Sequence, residues 1–250
     1  MIILKSLPEI ELIAKACQVV ALTIACLRDQ VKPGVTTADL DRLAEEVITK
    51  QGARPAFKGY RGYPATLCTS VNEEVVHGIP SPKKRLNEGD IIGLDVGAIV
   101  EGYYGDAAVT LPVGQVSAEA ARLIRVTERA LEAGLEQVRV GNRLSDISHA
   151  VQTVAEGEGY SVVTDFVGHG IGRNLHEDPQ VPNFGRPGEG PRLREGLVLA
   201  IEPMVNIGRS EVEVLADHWT VVTRDRSLSA HFEHTIAIMP DGPKVLTRAA

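Results

Sequence analysis

The hydrophobic and polar positions of the chain divide it into two pairs of helices, each followed by short apolar runs. Ser6, followed three residues later by Glu9, forms a capping-box pattern with Pro8 in the first turn. The Ile, Leu, Val and Ala content of the segment that follows predicts a mostly buried helix to about Gln30. The other three helices are predicted at residues 39–50, 117–139 and 144–156.

The apolar runs that follow each helix pair have the length and composition of strands. Six strands are predicted, at residues 91–96, 104–110, 197–201, 211–215, 218–223 and 232–239. Runs of helices followed by runs of strands indicate the α+β class, with helices on one face of an antiparallel sheet.

One segment of the chain appears twice, and a carboxylate ends both copies. Residues 86–95 recur as residues 193–202, so that Asp95 falls on Glu202, 107 positions later. A second pair of segments keeps the same offset, namely residues 33–52 and 140–159. A repeat of this length indicates two similar halves rather than a solenoid.

The repeat predicts a single domain over residues 1–250, because neither half would bury its sheet alone. The two pseudo-repeats are approximately residues 8–115 and 116–240. If the halves pack face to face, the carboxylates of Asp95 and Glu202 meet at one axis. Such a cluster of negative charge needs a cation.

Composition narrows the class of protein. With 44% hydrophobic residues, 24% charged residues and a net charge of −7, the chain is typical of a soluble globular protein and has no basic run suited to nucleic acid. Charged residues interrupt the apolar N-terminus, and no apolar run reaches the ~18 residues of a membrane span, so the chain is predicted to be neither secreted nor membrane-spanning. Three cysteines without a CxxC spacing indicate neither a zinc knuckle nor a disulfide framework, so reduced thiols and a cytoplasmic location are expected.

Asp95 and Asp106 are the first candidates for chemistry. A hairpin with the two-residue loop Val100-Glu101 would place them directly opposite, with Cβ atoms ~4.5–5.5 Å apart. Two carboxylates at that spacing repel unless a cation lies between them. The alternative is a pair of surface aspartates near a turn, but the small and apolar neighbours of both residues argue against a solvated face.

Two glutamates and three histidines lie in segments that are apolar or rich in glycine. Glu202 ends an apolar run, and Glu233 has neighbours typical of a core, so each needs a partner, which could equally be a buried ion pair. His169 is flanked by glycines that let the backbone approach a site. A structural role in a turn is the alternative for His169, and the same alternative applies to His77 and His176.

Considered together, these residues indicate a metal centre. Four carboxylates and one imidazole carry a formal charge of about −4, which two divalent cations would neutralise. Oxygen-rich ligation with one nitrogen suits manganese, iron, cobalt or zinc. Two such ions ~3.5–4 Å apart form a hydrolytic site in which a bridging water becomes hydroxide near neutral pH.

The order Asp95, Asp106, His169, Glu202 and Glu233 resembles that of the type I methionine aminopeptidases. The resemblance covers nearly the whole chain and implies the pita-bread fold, with two pseudo-symmetric halves whose helices pack on a curved antiparallel sheet. Further segments that match the pattern of this family are Tyr60-Arg61-Gly62-Tyr63-Pro64, Cys68, Asn72-Glu73, His77-Gly78-Ile79-Pro80, Gly168-His169-Gly170-Ile171-Gly172 and Ser229-Ala230-His231-Phe232-Glu233-His234-Thr235.

The resemblance implies a role for each candidate. Asp95, Asp106, His169, Glu202 and Glu233 would ligate two divalent ions, with Asp106 and Glu233 bridging. Glu202 would also take the proton of the attacking water. His77 and His176 would hydrogen-bond the scissile peptide and steady the tetrahedral intermediate. The pocket for the methionine side chain would be walled by Tyr60, Tyr63, Cys68 and Trp219, although these aromatic residues could instead belong to the core.

The resemblance also implies the substrates and the cellular setting. The substrates would be peptides with an N-terminal methionine and nascent chains, including chains at the ribosome. No specific nucleic acid or membrane is expected as a partner, and the protein is expected to be a cytoplasmic monomer. The two divalent ions could be cobalt, manganese, iron or zinc.

Two residues depart from the pattern of the family. Leu175 stands where the family often has Phe, and Phe57 stands where many bacterial members have Cys. Leu175 could loosen one wall of the pocket, so the preference for the N-terminal residue is less firmly implied than the reaction.

Two other functions are compatible with the same ligands. A prolidase or Xaa-Pro aminopeptidase shares them but usually carries a long N-terminal domain, for which no room is expected before Pro33-Gly34. A catalytically inactive relative that binds histones, nucleic acid or protein partners through this fold would typically lose ligands, whereas all five are present here.

Overall fold

A computed structural model describes residues 1–248, which contain four long α-helices. The helices are α1 (Leu7–Arg28), α2 (Thr37–Lys50), α3 (Ala118–Glu136) and α4 (Leu144–Gly157). α1 begins at the predicted capping box, where the Glu9 carboxylate accepts a hydrogen bond of 3.0 Å from the backbone N–H of Ser6. All four helices were predicted to within a few residues.

The length and apolar composition of α1 alone would allow it to cross a membrane. However, nine of its residues are buried within the protein, among them Ile13, Cys17 and Leu27. This pattern is that of a core helix that packs on the sheet.

Fifteen strands lie in the described residues, and the six predicted strands overlap six of them. The strands that were not predicted contain five residues or fewer. In chain order the strands are β1 (Arg54–Pro55), β2 (Leu67–Val71), β3 (Glu74–Val76), β4 (Ile91–Val100), β5 (Tyr103–Pro112), β6 (Ser161–Val162), β7 (Gly168–Gly170), β8 (Glu177–Val181), β9 (Val198–Ile201), β10 (Met204–Asn206), β11 (Val212–Val214), β12 (Val221–Thr223), β13 (Ser229–His231), β14 (Glu233–Met239) and β15 (Gly242–Val245).

A nine-stranded antiparallel sheet forms the centre of the fold. Its order is β1-β4-β5-β14-β9-β7-β8, with β2 beside β4 and β15 beside β14. Two three-stranded sheets, β13-β10-β6 and β11-β12-β3, flank it. Residues of α1 and α2 share one core with β4 and β5, and residues of α3 and α4 share another with β9 and β14, so each helix pair covers its own half of the central sheet.

The two halves repeat structural details at the offset found in the sequence. α2 and α4 have the same length and start 107 positions apart. The isolated bridge between Thr36 and Arg85 recurs between Arg143 and Arg192. Arg85 also donates to the carbonyl of Gly34, and Arg192 donates to the carbonyl of Gly141. Both glycines lie in the left-handed region. These recurrences support two pseudo-symmetric halves.

The predicted register of the β4–β5 hairpin was wrong. The turn is Glu101-Gly102, and Asp95 pairs with Ala108 while Asp106 pairs with Gly97. Both turn residues have positive φ, 50° and 82°, as the favoured two-residue hairpin turn requires. The predicted loop lay one residue earlier and would put a β-branched valine in that region. The two aspartates are therefore diagonal neighbours on one face of the sheet, still within reach of each other.

A glycine sets the distance between α1 and the central sheet. A Cβ at Gly105 on β5 would lie 2.5 Å from the backbone nitrogen of Cys17 and 2.7 Å from the carbonyl carbon of Ala16. Neither backbone atom can move without displacing α1. The close approach of this helix to the strand that carries Asp106 therefore depends on the absence of a side chain.

We expect Gly105→Ala to destabilise the protein by about 1–3 kcal/mol, because overpacking forces helix and strand apart. For a chain of this size the melting temperature should fall by roughly 3–10 °C. Gly157→Ala is the matched control, because nothing lies within 4 Å of a Cβ at that position. Thermal unfolding of the two variants under identical conditions checks the difference, and equal melting temperatures would contradict it.

Candidate metal centre

One pocket collects every residue that the sequence singled out. Its lining includes the five candidate ligands, both candidate histidines and all four candidate wall residues: Asp95, Asp106, His169, Glu202, Glu233, His77, His176, Tyr60, Tyr63, Cys68 and Trp219. Phe57, Arg61 and Leu175 complete the lining.

Five neighbouring segments of the central sheet supply the candidate ligands. Asp95 lies on β4, Asp106 on β5 and Glu233 at the first position of β14. Glu202 directly follows β9, and His169 is the middle residue of β7. Since β4, β5, β14, β9 and β7 are consecutive in the sheet, residues far apart in sequence project into one place.

The side chains meet at ligand distances. One ligand atom each from Asp106, His169 and Glu233 lies within 4.8 Å of the other two. Nε2 of His169 is 3.5 Å from Oε1 of Glu202 and 4.0 Å from Oδ2 of Asp106. Atoms this close around a common centre could hold a metal ion.

The carboxylates lack the partners that buried charges need. Asp106 and Glu233 are only 4% and 2% exposed. Oδ1 of Asp95, Oδ1 of Asp106 and Oε1 of Glu233 are buried and accept no hydrogen bond. Among the described side chains, no lysine or arginine nitrogen lies within 4.0 Å of the cluster, whose neighbours at that distance are histidines. This donor set of oxygens and one nitrogen fits divalent cations.

With no cation bound, burial raises the pKa values of the four carboxyl groups and lowers that of His169. Desolvation raises the pKa of Asp95 to about 7. Desolvation, followed by the charges of neighbouring carboxylates, raises the pKa values of Asp106, Glu202 and Glu233 well above the usual range. The same burial lowers the pKa of His169 to about 3, so its imidazole is neutral.

The backbone fixes the tautomer of His169. Its Nδ1 lies 2.9 Å from the carbonyl oxygen of Gly170, and a carbonyl only accepts, so Nδ1 carries the proton. The lone pair of Nε2 then faces the carboxylates, which is the arrangement of a metal-ligating histidine.

The glycines around His169 permit tight strand packing. A Cβ at Gly168 would lie 2.4 Å from the carbonyl oxygen of Ala200, and one at Gly170 would lie 2.2 Å from that of Asp178. The alternative of a turn at His169 does not hold, because the segment is a strand between β8 and β9. The glycines bring this strand close enough for His169 to reach the ligands on the neighbouring strands.

The two further histidines contact different residues of the pocket. Nδ1 of His176, at the exposed rim, is 2.8 Å from the hydroxyl of Tyr60, and the His176 ring centre is 4.3 Å from that of His169. His77 meets the rings of Phe166 and Trp219 edge-on. Burial lowers the pKa of His77 to about 4, so it is neutral at pH 7.

The predicted wall residues form an apolar side to the pocket. Tyr63 is buried, donates through its hydroxyl to the carbonyls of Leu67 and Gly78, and packs edge-on against Trp219. Cys68, on β2, pairs in register with Asp95. The two departures from the family pattern, Phe57 and Leu175, are buried residues that line the same wall.

Two residues near the site had no role in the sequence-based prediction. Arg61 lines the pocket beside Tyr60. His231 is 4% exposed, and its Nε2 lies 3.7 Å from Oε2 of Glu202. The spacing from Glu233 could have indicated His231, because residues two apart on an extended segment share a face.

Comparison with known proteins places this centre in a family. Residues 11–240 match the model of metallopeptidase family M24. A methionine aminopeptidase from Clostridium acetobutylicum is 57% identical over 99% of both chains. Methionine aminopeptidase 1 from Bacillus subtilis is 54% identical over 99% of this chain and 100% of the relative.

Solved structures agree with the sequence comparison. A crystal structure of methionine aminopeptidase from Thermotoga maritima superposes with a TM-score of 0.98 at 49% identity, covering 99% of this chain and 100% of the other. Prolidase from Pyrococcus furiosus shares the fold, with a TM-score of 0.79 at 23% identity, and this chain covers 66% of it. The predicted α+β pita-bread fold is confirmed. The chain therefore belongs to metallopeptidase family M24 and, within it, to the methionine aminopeptidases.

Proposed function

We propose that this chain removes the N-terminal methionine from peptides and nascent proteins, and that its five candidate ligands hold two divalent metal ions. The observation that carries the proposal is the set of buried carboxylate oxygens without partners at the floor of an apolar-walled pocket. The relatives that support it are methionine aminopeptidases at 54% and 57% identity.

The residues that would hold the ions are Asp95, Asp106, His169, Glu202 and Glu233, and Asp106 and Glu233 would serve both ions. Cobalt, manganese, iron and zinc all suit this mixture of oxygen and nitrogen donors. When bound, such ions polarise a carbonyl and lower the pKa of water to near neutrality.

The pocket suits a terminal methionine. Tyr63, Trp219 and Phe57 offer aromatic surface, and a thioether makes favourable contacts with aromatic rings. The free α-amino group of a peptide can donate hydrogen bonds to the carboxylate oxygens of the floor, and a blocked terminus lacks this donor.

Side chains around the floor supply proton transfer and orientation. Glu202 takes a proton from the attacking water as the new C–O bond forms, and passes a proton to the leaving amine as the C–N bond breaks. The Tyr60 hydroxyl lies 2.8 Å from Nδ1 of His176. With the hydroxyl as the donor of that bond, Nε2 of His176 carries the ring proton and can stabilise the oxyanion. His77, neutral at pH 7, also hydrogen-bonds the scissile peptide.

We also propose the substrates, the cellular location and the oligomeric state of the enzyme. The substrates include chains emerging at the ribosome, the location is the cytoplasm, and the protein acts as a monomer. No specific nucleic acid or membrane takes part.

Cleavage of a Met-Ala-Ser peptide, compared with an Ala-Pro dipeptide, tests the reaction. We expect release of methionine from the first substrate and little product from the second, since the prolidase-type structures match at the level of fold only. A chelator should abolish activity and added Mn²⁺ or Co²⁺ should restore it. Faster cleavage of Ala-Pro would support the Xaa-Pro alternative, and no hydrolysis of either substrate by metal-loaded protein would support an inactive relative.

Glu202→Gln should lower kcat by roughly 10²–10⁴-fold while changing KM little, because a general base acts in the transition state. The amide keeps the size of the side chain and one oxygen donor. Metal content must be measured alongside, since Glu202 is also a proposed ligand. A fully metallated variant with normal kcat would remove Glu202 from this role.

Metal should stabilise the protein more at high pH than at low pH. The pKa of Asp95 is raised from 3.8 to about 7 on folding, so the metal-free folded state binds more protons than the unfolded state in this interval. Its stability therefore falls as pH rises through this window, whereas bound cations remove the penalty.

The measurement is the gain in melting temperature on adding Mn²⁺ to chelator-treated protein at about pH 5 and about pH 8. The gain should be larger at the higher pH, and Asp95→Asn should reduce the difference. An equal gain at both pH values would contradict the prediction.

A further inference from the structure

His231 is a buried histidine that none of the steps above uses. It ends β13 and pairs with Met204 of β10. The hydroxyl of Thr110 accepts from the backbone N–H of His231 at 2.9 Å and donates to its carbonyl at 2.8 Å. Held at both backbone groups, and with its side chain 4% exposed, His231 has little freedom to turn away from its surroundings.

The free nitrogen of this ring faces Glu202. Nε2 of His231 is buried without a hydrogen-bond partner and lies 3.7 Å from Oε2 of Glu202. An N–H donor that is buried and unpaired is unfavourable, so the position of this nitrogen beside a carboxylate calls for a bond between them.

The other imidazole beside Glu202 cannot supply that bond. Nε2 of His169 is 3.5 Å from Oε1 of Glu202, but the proton of His169 is on Nδ1, where it bonds the carbonyl of Gly170. Nε2 of His169 therefore presents a lone pair. Among the lysine, arginine and histidine nitrogens of residues 1–248 that lie within 4.0 Å of the Glu202 carboxylate, Nε2 of His231 is then the one that is able to donate.

We propose that His231 is a positioning residue, whose Nε2–H donates to Oε2 of Glu202 and orients that carboxylate for metal binding and proton transfer. The inference rests on the proposed function of Glu202. It does not depend on the charge of His231, because Nε2 can carry the proton toward the carboxylate whether the ring is neutral or cationic. The 3.7 Å separation exceeds the ~3.0 Å of an N–H···O bond, and such contacts often tighten once a site is filled.

The two carboxylate oxygens of Glu202 face different histidines, Oε1 facing His169 and Oε2 facing His231. A bond from His231 to Oε2 fixes the plane of the carboxylate and leaves Oε1 facing His169 and the other ligands. Without that bond the carboxylate can rotate, and the ligand set is less well ordered before a cation arrives. Groups that orient a ligand in this way typically change metal affinity or activity by ~10–100-fold.

The test compares His231→Leu with His231→Gln. The leucine variant removes the donor, so kcat on a Met-Ala-Ser peptide and the affinity for Mn²⁺ measured by calorimetry should each fall by ~10–100-fold, with little change in KM. The glutamine variant carries an amide N–H at similar reach and should recover most of both losses. Rescue by glutamine separates positioning from simple packing, which the amide would not restore.

His234 provides a matched control. It is three residues away, and its Nδ1 contacts the hydroxyl of Thr247, 2.8 Å distant. His234→Leu and His234→Gln should leave the Mn²⁺ affinity unchanged, because this ring does not approach Glu202.

Normal Mn²⁺ affinity and normal kcat in His231→Leu would overturn the inference, as would equal impairment of the leucine and glutamine variants. If the leucine variant does not fold, as its melting curve would show, His231→Asn replaces it, because the shorter amide does not reach Glu202. Failure of the wild type to cleave methionine peptides would instead refute the proposed function, while the calorimetric comparison would still decide the role of His231.

Discussion

The structure depends on holding four carboxylates together out of water. Burial removes water from Asp95, Asp106, Glu202 and Glu233 and raises the pKa of all four carboxyl groups. The charges of neighbouring carboxylates raise the pKa of the last three further. Without a cation, such a cluster is stable only if it takes up protons. The fold must therefore be stable enough elsewhere to tolerate the cluster, and metal ions relieve the penalty where it arises.

The central sheet solves the problem of bringing these groups together. Each candidate ligand comes from a different, adjacent segment of one sheet, so its position is fixed by backbone pairing rather than by a loop. Threonine side chains link β5 to both β13 and β14. Thr235 donates to the carbonyl of Asp106 at 2.7 Å, and Thr110 bonds both backbone groups of His231. The donors and acceptors of the strands are thus satisfied on both sides of the Glu233–Ala108 pair.

Two halves, each with its own pair of helices, support the central sheet, as the repeat in the sequence predicts. The repeat of 107 residues matches equal helices and equal bridges in the two halves. It also places Asp95 and Glu202 at equivalent positions on β4 and after β9. A twofold arrangement of this kind brings one carboxylate from each half to the centre without any long loop.

Some of this arrangement could be predicted from the sequence, and some could not. The helices were predictable because local signals such as the Ser6–Glu9 capping box fix their ends. The predicted hairpin register was wrong because moving the turn by one residue changes every pair of the hairpin. The left-handed geometry at Glu101-Gly102 favours a glycine at the second position of the turn. Strand β7 was missed because its sequence, Gly168-His169-Gly170, contains none of the β-branched or aromatic residues that indicate a strand.

The candidate residues were selected because their order resembles that of a family, and the structure places all of them around one pocket. The relation between His231 and Glu202 was not predictable. It depends on which nitrogen of His169 carries the proton, and that is decided by a backbone carbonyl in three dimensions. Sequence spacing contains no information about such a choice.

The most direct test of the central claim is an anomalous-scattering map from crystals of the cobalt-loaded protein. The account predicts two peaks ~3.5–4 Å apart among the five candidate ligands, with Asp106 and Glu233 close to both peaks and the other three ligands each close to one. Well-ordered crystals that show no cobalt peak among these side chains, or a peak at some other place in the protein, would contradict it.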